Sequence, residues 1–438
     1  MKKFLIADLA GIIKAHEPHA TGHEPRFFTG VSIDSRNITA GDCFFAVPGS
    51  NFDGHNYVTE AFAKGAVCAV ISRDIDSGGN CLLKVTDTIK ALGDFAAEYR
   101  RMMNFKVVAI TGSVGKTMTR QITYHILSRH FRATTALKNF NNNIGLPLTL
   151  LRAGPQDEVV VAELGSNHPG EIAQLTQIAQ PDVAVVTNAY PAHLEGFGDL
   201  ETIVQEKLSI SEGLRTGGAF IINGDCDVLF ETCRSKGIKF TSFGKSSRCD
   251  VQAQNITHTD TGCRFTLQGR EVFLPLLGIG NVENALAAWA VCSRFGINID
   301  DFADAAKTLR AIDMRAELLQ IGNVTLLSDC YNANPASMKN ALSILSDLGA
   351  GGNGRLVFIC GDMAELGRQT KALHAELGAA VVQAKIRLLL TVGKSAKIVA
   401  QTAKNTAKYD LQTKSFTDTF SACNNLKKFI KDYDIVLV

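Results

Sequence analysis

The stretch TGSVGKTMT, from Thr111 to Thr119, decides the fold. It follows the apolar segment Val107 to Ile110, which we predict to be a buried strand, and it leads into a helical pattern. Glycines between a strand and a helix let backbone N–H groups approach phosphate oxygens, and the positive end of the new helix attracts the same charge. The stretch therefore predicts a binding site for the triphosphate of ATP.

Each polar position of this loop has a predicted role. Lys116 would neutralise charge on the β- and γ-phosphates, and the Thr117 hydroxyl would bind Mg²⁺. Only two residues separate the loop glycines, whereas the common pattern has four, so the loop is a shortened variant. The alternative is a glycine-rich turn with an incidental lysine. The predicted ATP-binding residues of the loop are Gly112, Ser113, Gly115, Lys116 and Thr117.

Apolar segments alternate with helical patterns along the chain, which predicts an α/β fold with parallel sheets covered by helices. We divide the chain into three domains, residues 1–104, 105–311 and 312–438. The central domain is predicted to contain the P-loop parallel sheet and the C-terminal one a Rossmann-like sheet. A helix is predicted near His55 to Lys64. The predicted strands are Cys43–Val47, Val67–Ile71, Val107–Ile110, Val159–Glu163, Val183–Thr187, Ala219–Ile222, Leu356–Cys360, Leu388–Val392 and Ile435–Val438.

Composition excludes several classes of function. The 438 residues carry a net charge of +2, so there is no overall basic field to recruit nucleic acid. No run of about 18 apolar residues occurs, which argues against a membrane span. Asp8 and Lys14 interrupt the apolar N-terminal stretch, which is therefore not expected to be a signal peptide. The 11 scattered cysteines are typical of free thiols in a reducing compartment, so we expect a cytoplasmic protein. We also expect a monomer.

Further motifs occur in a fixed order with the phosphate loop, and together they resemble the Mur ligase family. These cytoplasmic enzymes join amino acids to the peptidoglycan precursor. The resemblance covers nearly the whole chain. The motifs are DSR from Asp34, GDCFFAVPGSNFDGHNYV from Gly41, TGSVGKT from Thr111, NFNNNIGLPLTLL from Asn139, ELGSNHPGEI from Glu163, TNAYPAHLEGFGDLETIVQEK ending at Lys207, NVENALAA from Asn281, DCYNANPASM from Asp329 and GDMAELG from Gly361.

The chain departs from the family pattern in four places. Met118 replaces a usual threonine, Asn143 a usual glutamate, and Gly280 a common histidine on the adenine side. The given sequence also ends at the predicted strand DIVLV, without the KGSR-type loop that follows in the family. Either the sequence is truncated or this element of the site is absent.

The resemblance implies an ATP-dependent amide ligase. In the family, the γ-phosphoryl group of ATP passes to a substrate carboxylate, and an amine then attacks the acyl phosphate. The motifs NHPGEI, AHLEGFG, YNANP and GDMAELG are most similar to members that add D-alanyl-D-alanine to UDP-N-acetylmuramoyl-tripeptide (UDP-MurNAc-tripeptide). Bringing an anionic carboxylate to a triphosphate requires cations, here Lys116 and Mg²⁺.

Three residues beyond the loop are candidate metal ligands. Glu163 ends a predicted strand, where α/β enzymes bind ligands, and a carboxylate suits Mg²⁺; the alternative is a surface acid. His193 lies in a loop, where most histidines are solvated, but the resemblance implies that it binds a second Mg²⁺. Lys207 would by composition be a surface lysine paired with Glu206, whereas the resemblance implies that it carries a carbamate. Lys116, His193 and Lys207 are thus the expected catalytic residues.

The remaining candidates bind ATP or substrate. The resemblance implies an adenine contact for Asn284, and we favour a γ-phosphate contact for Arg315. Ser35 and Arg36 are candidate ligands of the UDP pyrophosphate. Without the resemblance, an ordinary turn would be the favoured explanation of these two residues. In the third domain, Asn332 is a candidate for ATP and Asn334 for the substrate, although their motif YNANP could also be an ordinary loop before a helix. Asp362, which follows the predicted strand ending at Cys360, is a further candidate for the substrate.

Two other functions remain open at this point. A sister ligase, of another Mur type or a folylpolyglutamate type, would share the phosphate loop, but folate ligases lack the UDP-type motifs of the first domain. A non-catalytic ATP-binding switch would not require Lys116, Glu163, His193 and Lys207 together.

Overall fold

In the computed structural model, residues 1–16, 26–49, 51–76, 78–137, 140–350 and 354–438 are described. They form sheets of four, nine and six strands and a two-stranded ribbon. Ser50 and Asn139, which belong to two of the family motifs, lie outside the described residues. Among the described helices, none combines the length and hydrophobicity that a membrane crossing requires.

The N-terminal part of the chain forms a parallel sheet with the strand order β3-β4-β5-β6, beside an antiparallel β1-β2 ribbon. Asp87 accepts hydrogen bonds from the first backbone N–H groups of the long helix α3 and thereby starts it. The elements are β1 Phe4–Leu5, α1 Ile6–Ile12, β2 Phe27–Phe28, β3 Gly30–Ser32, β4 Asp42–Phe45, α2 Val58–Ala63, β5 Cys68–Ile71, β6 Leu82–Lys84 and α3 Thr88–Met102.

The central nine-stranded sheet has the order β15-β14-β13-β12-β11-β10-β7-β9-β8. Strands β7 to β13 pair in parallel, and β13 to β15 form an antiparallel meander. The elements are β7 Lys106–Thr111, α4 Lys116–Leu127, β8 Ala133–Thr135, α5 Gly145–Arg152, β9 Val159–Glu163, α6 Glu171–Ala179, β10 Val183–Val186, α7 Leu194–Phe197, α8 Leu200–Leu208, β11 Ala219–Asn223, α9 Asp227–Ser235, β12 Thr241–Gly244, β13 Val251–Thr259, β14 Gly262–Leu267, β15 Arg270–Leu274, α10 Ile279–Cys292 and α11 Ile299–Ala306.

The third sheet has the order β16-β17-β21-β18-β19-β20, and all its pairs are parallel except β16 with β17. Helices follow its parallel strands, as in Rossmann-like folds. The elements are β16 Glu317–Ile321, β17 Val324–Ser328, α12 Pro335–Ala350, β18 Leu356–Cys360, α13 Thr370–Gln383, β19 Leu388–Val392, α14 Ala396–Thr406, β20 Gln412–Phe416, α15 Thr419–Asn425 and β21 Ile435–Leu437.

The predicted α/β class is confirmed, and each predicted strand is present within two residues at either end. The helix predicted near His55 begins as a 3₁₀ turn, Gly54–Tyr57, and becomes α-helical at Val58. The meander β13–β15 was not among the predicted strands. Its strands carry many exposed polar residues, so they lack the continuous apolar runs of the parallel strands.

Helix α3 joins the N-terminal sheet to the central one, because it packs against α5 and α6. The Tyr99 hydroxyl donates to the Ala153 carbonyl at 2.7 Å. Arg100 is fully buried, and its guanidinium donates to the carbonyls of Phe105 and Gln180 and to the Asp182 carboxylate, at 2.8, 3.1 and 2.7 Å. The two sheets therefore share a core and polar anchors.

Replacing Arg100 with methionine should destabilise the protein by about 3 kcal/mol, because it leaves buried carbonyls and a carboxylate without their donor. The measurement is the midpoint of thermal unfolding. Arg101→Met, which alters the exposed neighbour on the same helix, serves as the control and should change little. Equal midpoints for the two variants would contradict the anchoring role of Arg100.

Candidate active site

The phosphate loop connects β7 to α4 and depends on its two glycines. Gly112 has φ 146° and Gly115 has φ 86°. A Cβ atom at residue 112 would lie 2.0 Å from the Thr187 hydroxyl oxygen, and one at residue 115 would lie 2.4 Å from Oδ1 of Asn284. Neither position can accept a side chain without displacing these neighbours.

Residues after β10 hold the loop in place. The Asn188 side chain accepts from Val114 N at 2.8 Å and donates back to the Val114 carbonyl at 3.0 Å. The Thr187 hydroxyl donates to the same carbonyl at 2.6 Å. The Ser113 hydroxyl donates to the Tyr190 carbonyl at 2.9 Å. The loop is therefore fixed before any phosphate arrives, which reduces the entropic cost of binding.

Glu163 forms the anionic centre of the site at the end of β9, where it is almost completely buried. Its carboxylate accepts from the Thr117 hydroxyl at 3.0 Å and from Asn141 Nδ2 at 2.9 Å. Arg120 Nε lies 3.6 Å from the same carboxylate. Thr117 and Glu163 thus place oxygen atoms side by side at the predicted magnesium position.

Lys116 and Arg315 bring positive charge to this centre. Lys116 Nζ donates to the Gly112 carbonyl at 2.8 Å. Burial lowers the pKa of Lys116, and Arg315 lowers it further, while the nearby Glu163 acts in the opposite direction. The Arg315 guanidinium lies 3.4 Å from the Thr117 hydroxyl and 4.1 Å from the centre of the Tyr331 ring. Arg315 comes from the third domain and reaches the phosphate loop of the second.

A cavity of ≈ 950 Å³ lies over the phosphate loop. It brings together nine residues that the sequence predicted: Ser113, Gly115, Lys116, Thr117, Glu163, His193, Arg315, Asn332 and Asn334. Of the described residues, those that line the cavity do not include six other candidates: Ser35, Arg36, Gly112, Lys207, Asn284 and Asp362.

Lys207 lies near the end of α8, and its side chain is buried. The interpretation of Lys207 as a surface lysine is therefore wrong. Its Nζ donates to the Ser166 hydroxyl at 2.8 Å. Burial, with a smaller contribution from Lys116, lowers the pKa of Lys207 to about 7. Glu206 does not serve as its surface partner; its carboxylate instead accepts from Gly170 N and Ile172 N at the start of α6, at 2.6 and 2.8 Å. The amine is therefore easily available in its neutral form.

His193 lies at the cavity wall, where it begins α7 with φ 53°. Its Nδ1 contacts the Glu365 carboxylate of the third domain. Asn284 lies behind the loop: its Oδ1 accepts from the Thr119 hydroxyl at 3.1 Å. Its predicted adenine contact remains a prediction.

Several candidates also have local structural roles. The Asp362 carboxylate accepts from Ala396 N at 2.6 Å, which caps α14. Asn334 accepts from Ser337 N at 2.9 Å and caps α12. Arg36 is exposed and pairs with Asp34, whereas the Ser35 hydroxyl donates to Glu60 at 3.2 Å. These contacts leave their substrate roles as predictions.

The sequence reading missed one wall of the cavity. This wall is made by the first turns of α3 and by the outer face of α6. Asp87 marks the start of α3, because an acidic N-cap is a helix-start signal, but nothing in the sequence places that helix start at the cavity. The wall residues are Asp87, Ile89, Lys90, Asp94, Gln174 and Gln177.

Three family models match the chain in succession. They are the Mur ligase family catalytic domain at residues 27–100, the Mur ligase middle domain at 110–292 and the Mur ligase glutamate ligase domain at 314–438. Curated relatives named UDP-N-acetylmuramoyl-tripeptide–D-alanyl-D-alanine ligase are similar over most of their length. The one from Bacillus subtilis (strain 168) is 34% identical and covers 87% of this chain and 83% of the relative. The one from Escherichia coli (strain K12) is 35% identical and covers 93% and 89%.

The chain belongs to the Mur ligase family. A crystal structure of MurF from Acinetobacter baumannii superposes with a TM-score of 0.90 at 30% identity, covering all of this chain and 95% of the other. The structure of MurF from Thermotoga maritima in complex with ADP superposes with a TM-score of 0.80 at 26% identity and covers 93% of each chain. The cavity draws its walls from all three Mur ligase segments, since Asp87, Lys116 and Arg315 fall in the first, middle and last matched ranges.

Lys116→Ala should reduce turnover by about 100-fold or more, because a cation that stabilises transition-state charge contributes roughly 3 kcal/mol or more. The measurement is ATP-dependent ADP release by a variant whose circular dichroism matches wild type. Lys106→Ala, at the exposed start of β7, is the matched control and should stay near wild-type activity. A folded Lys116→Ala variant within tenfold of wild type would disprove the phosphate-loop assignment.

Proposed function

We propose that this Mur ligase joins D-alanyl-D-alanine to UDP-N-acetylmuramoyl-tripeptide, with conversion of ATP to ADP and phosphate. The observation that carries the proposal is the 34–35% identity, over most of the chain, to relatives that bear this name. The cavity supports it, because a phosphate loop, a buried carboxylate and a third-domain arginine surround a single space. The reaction belongs to the synthesis of the peptidoglycan precursor.

The chain's own residues account for the phosphoryl transfer. The start of α4 and the loop N–H groups bind the triphosphate, while Lys116 and Arg315 face its charge. The tripeptide carboxylate attacks the γ-phosphorus, and ADP leaves. The amine of D-alanyl-D-alanine then attacks the acyl carbon, and phosphate leaves as the amide forms. Asn284 and Asn332 are proposed to contact the nucleotide beside the loop residues Gly112, Ser113, Gly115 and Thr117.

The oxygen atoms of the site fit magnesium. Thr117 and Glu163 supply a hydroxyl and a carboxylate that lie 3.0 Å apart at the cavity. In the described part of the chain, no three His, Cys, Asp or Glu side chains converge to hold a metal. The pairing of one carboxylate, Glu163, with one hydroxyl, Thr117, suits Mg²⁺, which binds through one or two carboxylates plus substrate phosphates. Bound magnesium would neutralise phosphate charge, and His193 and Lys207 are proposed as ligands of a second ion.

We propose that Lys207 is carbamylated. A free ammonium has no acceptor for a metal and repels it, whereas a carbamate offers two oxygens. The neutral amine adds to CO₂ and releases one proton, so a lysine with a pKa of about 7 is well prepared for this step. Burial beside Ser166 would shield the product from the solvent.

We assign one substrate to each of the three proposed domains. Residues 1–104 would bind the UDP moiety through Ser35 and Arg36, 105–311 would bind ATP, and 312–438 would bring the amine donor through Asn334 and Asp362. We place the enzyme in the cytoplasm as a monomer that binds no nucleic acid. All 11 cysteines are free, which supports a reducing compartment.

The proposed reaction predicts that ADP release requires both peptide substrates. We expect little ADP from ATP alone or with either substrate alone, and full turnover with UDP-MurNAc-tripeptide plus D-alanyl-D-alanine. The assay couples ADP to NADH oxidation and identifies the product by mass spectrometry. Turnover with a folate substrate and glutamate would favour the sister ligase. ATP binding without turnover in any combination would favour a switch.

Lys207→Ala should be nearly inactive, and a short-chain carboxylate such as acetate should restore part of the rate by occupying the vacated space. The reason is that the carboxylate supplies the oxygens of the missing carbamate. Lys116→Ala is the matched control, because acetate cannot replace a cation there. Near-normal turnover of Lys207→Ala, or an absence of rescue together with no excess density on the wild-type lysine in a crystal structure, would contradict the carbamate.

A further inference from the structure

A loop of the third domain, which includes the proposed substrate residue Asp362, also carries a residue with no role in the chemistry above, Glu365. The loop follows β18 and carries the motif GDMAELG. The Glu365 carboxylate contacts Nδ1 of His193, a residue 172 positions earlier in the chain. The Glu365 carbonyl also accepts from Glu195 N at 2.9 Å. The side chain and the backbone of Glu365 therefore both hold this loop against the start of α7.

Further hydrogen bonds fix the loop that carries Glu365. Within the same motif, Met363 N donates to Nε2 of the buried His374 at 3.1 Å, and Asp362 caps α14. Both ends of the contact have left-handed backbones, with φ 59° at Glu365 and φ 53° at His193. Such conformations carry a cost for residues other than glycine and persist where the surroundings impose them. Both side chains are thus presented by constrained backbones.

We propose that Glu365 is a positioning residue for His193, and that it makes the second metal position depend on the arrival of the third domain. The inference rests on the proposed function, since it takes His193 as a magnesium ligand. A carboxylate at Nδ1 of a histidine fixes the ring orientation and the tautomer with the proton on Nδ1. Nε2, on the far side of the ring, then carries the lone pair that a metal needs.

The geometry favours this role over that of an ordinary surface ion pair. Exposed pairs contribute little to stability, so stability alone gives small reason to hold two strained backbones together. His193 lines the cavity, whereas Glu365 is not among the described residues that line it. When the third domain moves away, His193 loses the group that orients it. The metal site would then be completed only with Arg315 and the third-domain loops in place.

The test measures metal binding without turnover. Mn²⁺ is titrated into the full-length protein with a non-hydrolysable ATP analogue, and free Mn²⁺ is followed by electron paramagnetic resonance. We expect two bound ions in the wild type. Glu365→Ala should weaken one of them by about 10- to 100-fold, as removal of an outer-shell carboxylate does elsewhere. Glu365→Gln, which keeps the shape and an acceptor oxygen, should lie in between.

The controls separate the inference from the proposed function. Glu195→Gln alters the exposed neighbour but leaves its backbone N–H, so it should bind both ions normally. His193→Ala should weaken the same ion, and the double variant Glu365→Ala/His193→Ala should lose nothing more. If His193→Ala loses an ion while Glu365→Ala binds both normally, or if the double variant is additive, the positioning role is refuted. If His193→Ala also binds both ions normally, the proposed metal role of His193 fails, and the inference fails with it.

Discussion

The site depends on a close approach between backbones, in which the phosphate loop lies against the end of β10 with no room for a side chain. The Val114 carbonyl accepts from both Thr187 and Asn188, and Gly112 lies directly beneath Thr187. Parallel pairing of β7 with β10 makes this contact possible, because both strands end at the same edge of the sheet. The sheet therefore positions the phosphate loop, and the side chains next to the loop face the ligand that the loop binds.

The side chains around the phosphate loop carry an excess of positive charge, which favours an anionic ligand. Lys116, Arg120 and Arg315 surround a single buried carboxylate, Glu163. Burial lowers the pKa of both Lys116 and Arg120, and repulsion from Arg315 adds to this against the opposing effect of Glu163. A partly buried excess of cations is unfavourable in free energy by itself. A triphosphate and the substrate carboxylate would relieve it. Since Arg315 comes from another domain, a bound anion would also hold the two domains together.

The parallel strands and the phosphate loop could be predicted because their signals are local. A continuous apolar run marks a strand such as Leu356–Cys360, and glycines mark the loop. The depth of Lys207 could not be read from α8, because its burial is created by Ser166 and Phe197 from other segments. Likewise, nothing in the sequence pairs His193 with Glu365. Such contacts depend on how segments distant in the sequence pack together, which neither periodicity nor spacing records.

Four of the ten described non-glycine residues with a positive φ lie where the third domain meets the central one. Met314 and Ala316, on either side of Arg315, have φ 59° and 50°, and His193 and Glu365 are also left-handed. Each such residue costs on the order of 1 kcal/mol or more, which the surrounding contacts must offset. Arg315 is held by its stack on Tyr331, and His193 by Glu365. Both contacts are made by third-domain residues, so the positions of Arg315 and His193 at the cavity both depend on where that domain lies.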